Sequence, residues 1–158
     1  MQRNFFAVAA LAAATAFLPA ATLAAGDSSP APASAEADPD VEAGKAAISA
    51  QNWQAAIGAF SKVAARDPRN ADAQNYLGFA YRKSGDLNAA FKHYGQALRL
   101  DPRHRGAHEY IGEAYLMKGD VVKAKQHLAT LDRLCWFGCG EYDDLKKSIA
   151  EYEQKNTR

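Results

Sequence analysis

Apolar and polar positions divide the chain into three stretches. The first, Phe5 to Leu18, is an uninterrupted run of apolar or small residues behind Arg3, broken at Pro19. The second, Gly26 to Asp40, reads GDSSPAPASAEADPD and contains no large hydrophobe. The third runs to the C-terminus and repeats itself. Gly44, Gly78 and Gly112 are 34 residues apart, as are Ala56, Ala90 and Ala124. Asp67-Pro68 recurs as Asp101-Pro102, Gly85-Asp86 as Gly119-Asp120, and Tyr81 as Tyr115. The spacing predicts pairs of short helices. Gly85 can take the positive φ that ends one helix, and Asp86 can cap the next. Pro68 and Pro102 cannot continue a helix and mark the boundary between units. Beyond the repeats, Tyr142, Leu145, Ile149 and Tyr152 form one stripe of a final helix, with Asp143, Lys146, Lys147, Glu151 and Glu153 opposite.

Each stretch has its own reading. Residues 1–25 have the arrangement of a secretory signal peptide: a positive start, an apolar core, and Thr22 and Ala24 as small residues before a cleavage site. The apolar stretch is about 14 residues, short of the roughly 20 that span a bilayer. No cysteine lies near it to carry a lipid anchor. The expected product is exported, to the periplasm or beyond, with no membrane span after cleavage. Residues 26–38 read as a disordered linker, because they cannot bury enough apolar surface to offset their ordering entropy.

Within residues 39–155 the units fall at about 37–70, 71–104 and 105–136, with a capping helix at 141–155. The second unit carries Leu77, Gly78, Tyr81, Ala90, Tyr94, Ala97 and Pro102. These residues and the 34-residue period resemble the tetratricopeptide repeat, a helix-turn-helix unit. Gln74 stands where that family usually has Trp. The first unit keeps Gly44, Ala56, Phe60 and Pro68. The third keeps Gly112, Tyr115 and Ala124, with Ile111 at the Leu position and Trp136 in place of the terminal Pro. The resemblance implies an all-α fold: a right-handed α-solenoid of three repeats, whose last apolar face the C-terminal helix must cover.

Composition agrees with a thin, repeated core. Alanine occurs 35 times, against 12 Leu, 5 Val and 4 Ile. A methyl group suits a close helix contact, so Gly78 and Gly112, with Ala90 and Ala124, are expected to bring the two helices of each pair together. Trp53 is placed to wedge between helices. All 18 acidic and 18 of the 19 basic residues lie beyond residue 25, so the mature chain is neutral. That balance argues against a nucleic-acid partner.

The resemblance also implies a concave groove, lined by the first helix of each repeat, that binds an extended peptide or a helix of a partner protein. In this chain the groove positions are Asp38, Val41, Lys45, Ile48 and Ser49; then Asp72, Asn75, Phe79, Arg82 and Lys83; then Gly106, Glu109, Glu113, Leu116 and Met117. Asn75, Arg82 and Lys83 can grip backbone or a carboxylate, since Arg offers a fork of donors and Asn both donor and acceptor. Phe79, Leu116 and Met117 can supply an apolar floor. Glu109 and Glu113 face the same groove and disfavour a ligand that ends in a carboxylate. Stacked repeats can also bind copies of themselves, so self-association is a further reading.

The sharpest local feature is Leu134-Cys135-Trp136-Phe137-Gly138-Cys139-Gly140. In an exported protein, two cysteines separated by three residues invite a disulfide. Two alternatives stay open: a redox-active thiol pair, or a soft-metal carrier using Cys135 and Cys139, with Cu(I) the suitable ion and no third ligand near in sequence. A cysteine-bracketed ending followed by Glu-Tyr and a helix is similar to that of small exported repeat proteins of bacteria. His93 and His127 occupy equivalent positions and read as surface residues. His104 and His108 straddle a repeat boundary. No nucleophile triad, metalloprotease motif, phosphate loop or dinucleotide fingerprint occurs. A catalytic role and a cofactor therefore have no residues to carry them.

Overall fold

The computed structural model describes residues 38–156. The expected signal peptide and the expected linker, apart from Asp38, lie outside the described residues. Among the described residues seven helices follow one another: α1 (Pro39–Ser49), α2 (Trp53–Arg66), α3 (Ala71–Ser84), α4 (Leu87–Leu100), α5 (Arg105–Met117), α6 (Val121–Leu134) and α7 (Gly140–Asn156). The first six pair within the repeats, and each pair packs on the next. Among the described residues no helix is long and apolar enough to cross a membrane.

The helix starts obey the sequence period. Asn52, Asp86 and Asp120, each 34 apart, cap α2, α4 and α6 by accepting a backbone N–H three residues on. Asn70 and His104, also 34 apart, cap α3 and α5; His104 does so through Nδ1, which accepts from the Ala107 amide at 3.1 Å. Its other ring nitrogen, Nε2, lies 3.0 Å from Asp72. A cap contributes about 1 kcal/mol by satisfying an amide that the helix leaves unpaired. Gly85 and Gly119 take φ of 94° and 79° and end α3 and α5 as expected.

Packing within the first two repeats turns on one contact. A Cβ on Gly44 would fall 2.6 Å from the Phe60 ring, and one on Gly78 2.5 Å from the Tyr94 ring. The missing methyl lets an aromatic side chain lie flat on the neighbouring helix. Phe60 and Tyr94 are fully buried as a result, with Ala56 and Ala90 beside them. The third repeat departs from this rule. The equivalent of Tyr94 is Leu128, yet a Cβ on Gly112 would meet Leu145 of α7 at 2.6 Å. The expectation that Gly112 serves its own pair is thus corrected: its close approach is to the C-terminal helix.

Helix α7 is more than an end cover. It runs parallel to α5, with Glu141 near Arg105, Ser148 near Glu113, and Tyr152 near Gly119. Leu145 and Ile149 complete a core with Leu116, Ala124 and Leu131. Its sequence stripe is therefore the buried face, and the charged face stays outside.

Replacing Gly78 with Ala forces a methyl into the Tyr94 ring and is expected to cost about 1–3 kcal/mol, as overpacked cores do. Gly58 on α2 has open space at its Cβ position. Gly58→Ala is expected to stabilise by roughly 0.5–1 kcal/mol through helix propensity. Urea unfolding followed by circular dichroism measures both; equal effects at the two positions would refute the packing account.

Candidate functional site

The inner surface is built from α3, α5 and α7. Phe79 on α3 contacts Trp53 edge-on, with ring centroids 6.2 Å apart, and Tyr110 on α5 at 5.0 Å. Trp53 thus packs against the groove aromatic, which is the wedge expected of it. Arg82 lies over both the Phe79 and Tyr110 rings, at 5.5 and 5.6 Å. Lys83 also reaches the Phe79 ring but is otherwise exposed.

Arg82 is far less free than its position in the sequence implies. It is 6% exposed, pairs with Glu113 at 2.6 Å, and its Nε donates to the Tyr94 hydroxyl at 3.3 Å. Glu113 also accepts from Ser148 Oγ at 3.4 Å, so one carboxylate joins α3, α5 and α7. Burial pushes the Tyr94 hydroxyl up, and the neighbouring Arg82 only partly offsets this. Leu116 belongs mainly to the core with α6 and α7, whereas Met117 is exposed. Between α3, α5 and α7 a cleft of about 340 Å³ is lined by Lys83, Met117, Glu151, Tyr152 and Lys155 over Arg82, Glu113 and Leu116.

Asn75 and Glu109 complete the expected groove set. Asn75 is 5% exposed, and its Oδ1 has no hydrogen-bond partner. Glu109 is 8% exposed, and its carboxyl group makes no hydrogen bond among the described residues. Burial raises its pKa to about 8, helped by the charges of Glu113, Asp144 and Glu141 and opposed by Arg82. Tyr110 beside it is pushed up to about 12 by burial and then by Glu109 and Glu113.

A second set of polar residues ties the helices of each repeat together. His93 Nδ1 meets Gln74 Oε1 at 2.8 Å, and His127 Nδ1 meets His108 Nδ1 at 2.9 Å. The two pairs are related by the 34-residue period. So are the rings stacked on them, Tyr81 on His93 and Tyr115 on His127. In the first repeat the equivalent residue, Asp40, pairs with Arg66 at 2.5 Å and Lys62 at 3.5 Å. The surface placement expected for His93 and His127 is corrected: both are half-buried partners of the preceding helix. His108 pairs across the repeat, where sequence adjacency had pointed only to His104. Since Pro102 O accepts from His108 Nε2 at 3.1 Å, His108 Nδ1 is the acceptor and His127 Nδ1 carries the proton. Burial lowers both pKa values, that of His127 to about 4 with a contribution from His108.

Cys135 and Cys139 form a disulfide with Cα atoms 5.6 Å apart, closing the turn between α6 and α7. Trp136 and Phe137, held inside that ring, are 88% and 98% exposed and stack on each other. Glu141 brings one carboxylate oxygen within 4.8 Å of both sulfurs, a neighbour the sequence spacing did not show, but sulfurs joined to each other are not thiolate ligands. It is also 3.6 Å from Arg105.

Comparison with known proteins agrees with this architecture. Family models described as the tetratricopeptide repeat match residues 41–94, and as the TPR repeat residues 80–119. The chain belongs to the tetratricopeptide repeat family. No curated protein matches it. Among solved structures, the TPR2B domain of yeast Sti1 in a complex with pHsp70 superposes with a TM-score of 0.67 at 18% identity, covering 74% of this chain and 95% of that one. The second TPR domain of human RPAP3, in complex with an HSP70 peptide, gives 0.63 at 23% identity, covering 72% and 92%. The type III secretion chaperone SycD of Yersinia enterocolitica, in complex with a peptide of the translocator YopD, gives 0.63 at 16%, covering 73% and 88%. These likenesses establish the fold.

Two ionisable groups should make stability depend on pH in opposite directions. The unfolded chain takes up protons on histidine near pH 6.5, while folded His127 resists them down to about 4. Stability from this pair is therefore lost as pH falls from 6.5 towards 4. His108→Gln, which recreates the Gln–His pair of the second repeat, should weaken that loss. Glu109 holds its proton up to about pH 8 in the folded state but only to about 4.5 when unfolded. Its contribution thus falls as pH rises from 4.5 to 8. Glu109→Gln should melt above wild type beyond pH 8 and converge with it below 4.5; parallel melting curves for all three proteins would contradict both assignments. Reducing the disulfide should remove roughly 2 kcal/mol by the chain-entropy relation for a five-residue loop. An unchanged melting temperature after reduction, with both thiols titratable, would deny it a stabilising role.

Proposed function

We propose that the protein is a non-catalytic interaction module. It binds a partner protein, or an extended peptide from one, along the inner surface of α3, α5 and α7. The observation that carries this reading is the Phe79–Arg82–Tyr110 cluster beside an open cleft. Aromatic and guanidinium groups dominate the energetics of protein recognition. Here they are held in place by Trp53 and Glu113 before any ligand arrives, so little ordering cost remains. The groove set is Asn75, Phe79, Arg82, Lys83, Glu109, Glu113 and Leu116. Arg82, Glu113 and Leu116 chiefly shape it, and Phe79 and Lys83 make the contacts.

The leader-like N-terminus supports a place in the cell envelope, in the periplasm or outside the cell, and the concrete role proposed is adaptor or assembly factor for an envelope complex. A second reading, a thiol or metal carrier, draws on the grouping of Cys135, Cys139 and Glu141. The bonded state of the cysteines favours a structural role instead. A carboxylate oxygen is also a poor match for the soft ions that thiolates select.

Tagged wild type, Phe79→Ala/Lys83→Ala, and Lys92→Ala as a control on α4 would each be used to capture partners from an envelope extract, after melting curves confirm folding. Wild type and the control should recover the same partner, and the groove variant should lose most of it. Recovery of every partner by the groove variant would remove the groove from the mechanism.

A further inference from the structure

Carboxyl groups gather around one point of the groove. Glu109 and Glu113 on α5 and Glu141 and Asp144 on α7 lie close enough for the other three all to act on Glu109. Two guanidinium groups answer them. Arg82 is committed to Glu113 at 2.6 Å, and Arg105 lies 3.6 Å from Glu141. Glu109 is left without a hydrogen bond although it is 8% exposed.

An independent observation points the same way. Asn75 on α3 is 5% exposed, and its Oδ1 also lacks a donor. Its amide packs against the first turn of α5, with Nδ2 3.3 Å from where a Cβ on Gly106 would stand, one turn before Glu109. One helix thus holds a buried acceptor with no donor, and the next holds a largely buried carboxyl with no hydrogen bond from the described residues. Such groups are rare because each costs about 1–3 kcal/mol. Donors without acceptors are what lysine and arginine side chains supply. The neighbouring face of Tyr110 adds the aromatic surface that attracts a cation.

We propose that this part of the groove binds a basic side chain, a Lys or Arg of the partner segment, whose cation pairs with the Glu109 carboxylate. The proposal rests on the groove reading and names the ligand chemistry for it. It also sets this groove apart from an acid-binding one. The HSP70 and HSP90 peptides in the RPAP3 and Spaghetti complexes, SGPTIEEVD and SRMEEVD, are acidic. Glu113, Glu141 and Asp144 around Glu109 disfavour an acidic side chain at this point. With pKa about 8, Glu109 is mostly protonated at pH 7. An arriving cation favours its ionised form, so the proton leaves to solvent as the ion pair forms. The charged and titratable groups facing it are Arg82 on α3, Glu113 and Tyr110 on α5, and Glu141 and Asp144 on α7.

The test uses the full chain and labelled decapeptides, amidated at the C-terminus, that differ only in two central residues: Arg-Arg, Gln-Gln or Glu-Glu. A fourth probe is SRMEEVD with a free carboxylate. Fluorescence anisotropy should show the Arg-Arg probe bound at least about tenfold tighter than Gln-Gln, equivalent to about 1.4 kcal/mol, and the acidic probes weaker still. Glu109→Gln should bring Arg-Arg down to the level of Gln-Gln. Calorimetry at pH 7 in buffers of different ionisation enthalpy should show most of a proton released by wild type and none by Glu109→Gln. A purely structural role for Glu109 would not move that readout. Equal binding of Arg-Arg and Gln-Gln, a preference that survives Glu109→Gln, or no binding of the Arg-Arg probe would overturn the proposal. Binding of an acidic probe that Phe79→Ala weakens would overturn it too, while leaving the groove reading intact. Partner capture indifferent to the Phe79→Ala/Lys83→Ala substitution would instead bring down the groove reading itself.

Discussion

Everything in this fold depends on a methyl group that is absent. At Gly44 and Gly78 an aromatic ring from the second helix occupies the space a side chain would need. The two helices approach until Phe60 and Tyr94 are wholly enclosed, with Ala56 and Ala90 buried beside them. This explains how a chain with few branched aliphatic residues still builds a core. The core is a row of small contacts repeated along the array, and each unit completes the one before it. In the third repeat the partner ring is gone, and Leu145 of α7 enters the same gap. The array ends there because the helix that follows sits on the glycine itself.

The polar ties follow from that closeness. Once two helices are pinned by the glycine contact, the position four residues before each glycine faces the second helix of its repeat. That position is Asp40, Gln74 and His108 in turn, and each finds a partner on α2, α4 or α6. The geometry is constant while the chemistry changes from a salt bridge to an amide–imidazole bond to an imidazole pair. Only the last places two titrating rings in direct contact.

Helix pairs, their turns and most of their caps were legible in the sequence, because each rests on local spacing that the 34-residue period displays two or three times over. Asp86, Gly85, Pro68 and the stripe of α7 act through the neighbouring turn, and that can be read along the chain. What could not be read depends on register between helices. Gln74 was visible as a departure from the usual Trp, but its bond to His93 requires the angle between α3 and α4. The burial of Arg82 comes from Tyr94 and Glu113, which lie 12 and 31 residues away. Glu141 as a neighbour of both cysteines depends on how the disulfide loop turns into α7. The groove positions themselves were found by resemblance. Their division into shaping residues and contact residues came only with the burial of each side chain.

The two tryptophans occupy contrasting surroundings. Trp53 packs edge-on against Phe79 at the groove, while Trp136 stands almost fully in water within the disulfide ring. Intrinsic fluorescence therefore superposes a signal from the recognition surface on one from an outlying loop. Replacing Trp136 with Phe would silence the second without touching any packed residue. The emission left would come from Trp53 alone, an optical reporter of what enters the groove that needs no added label.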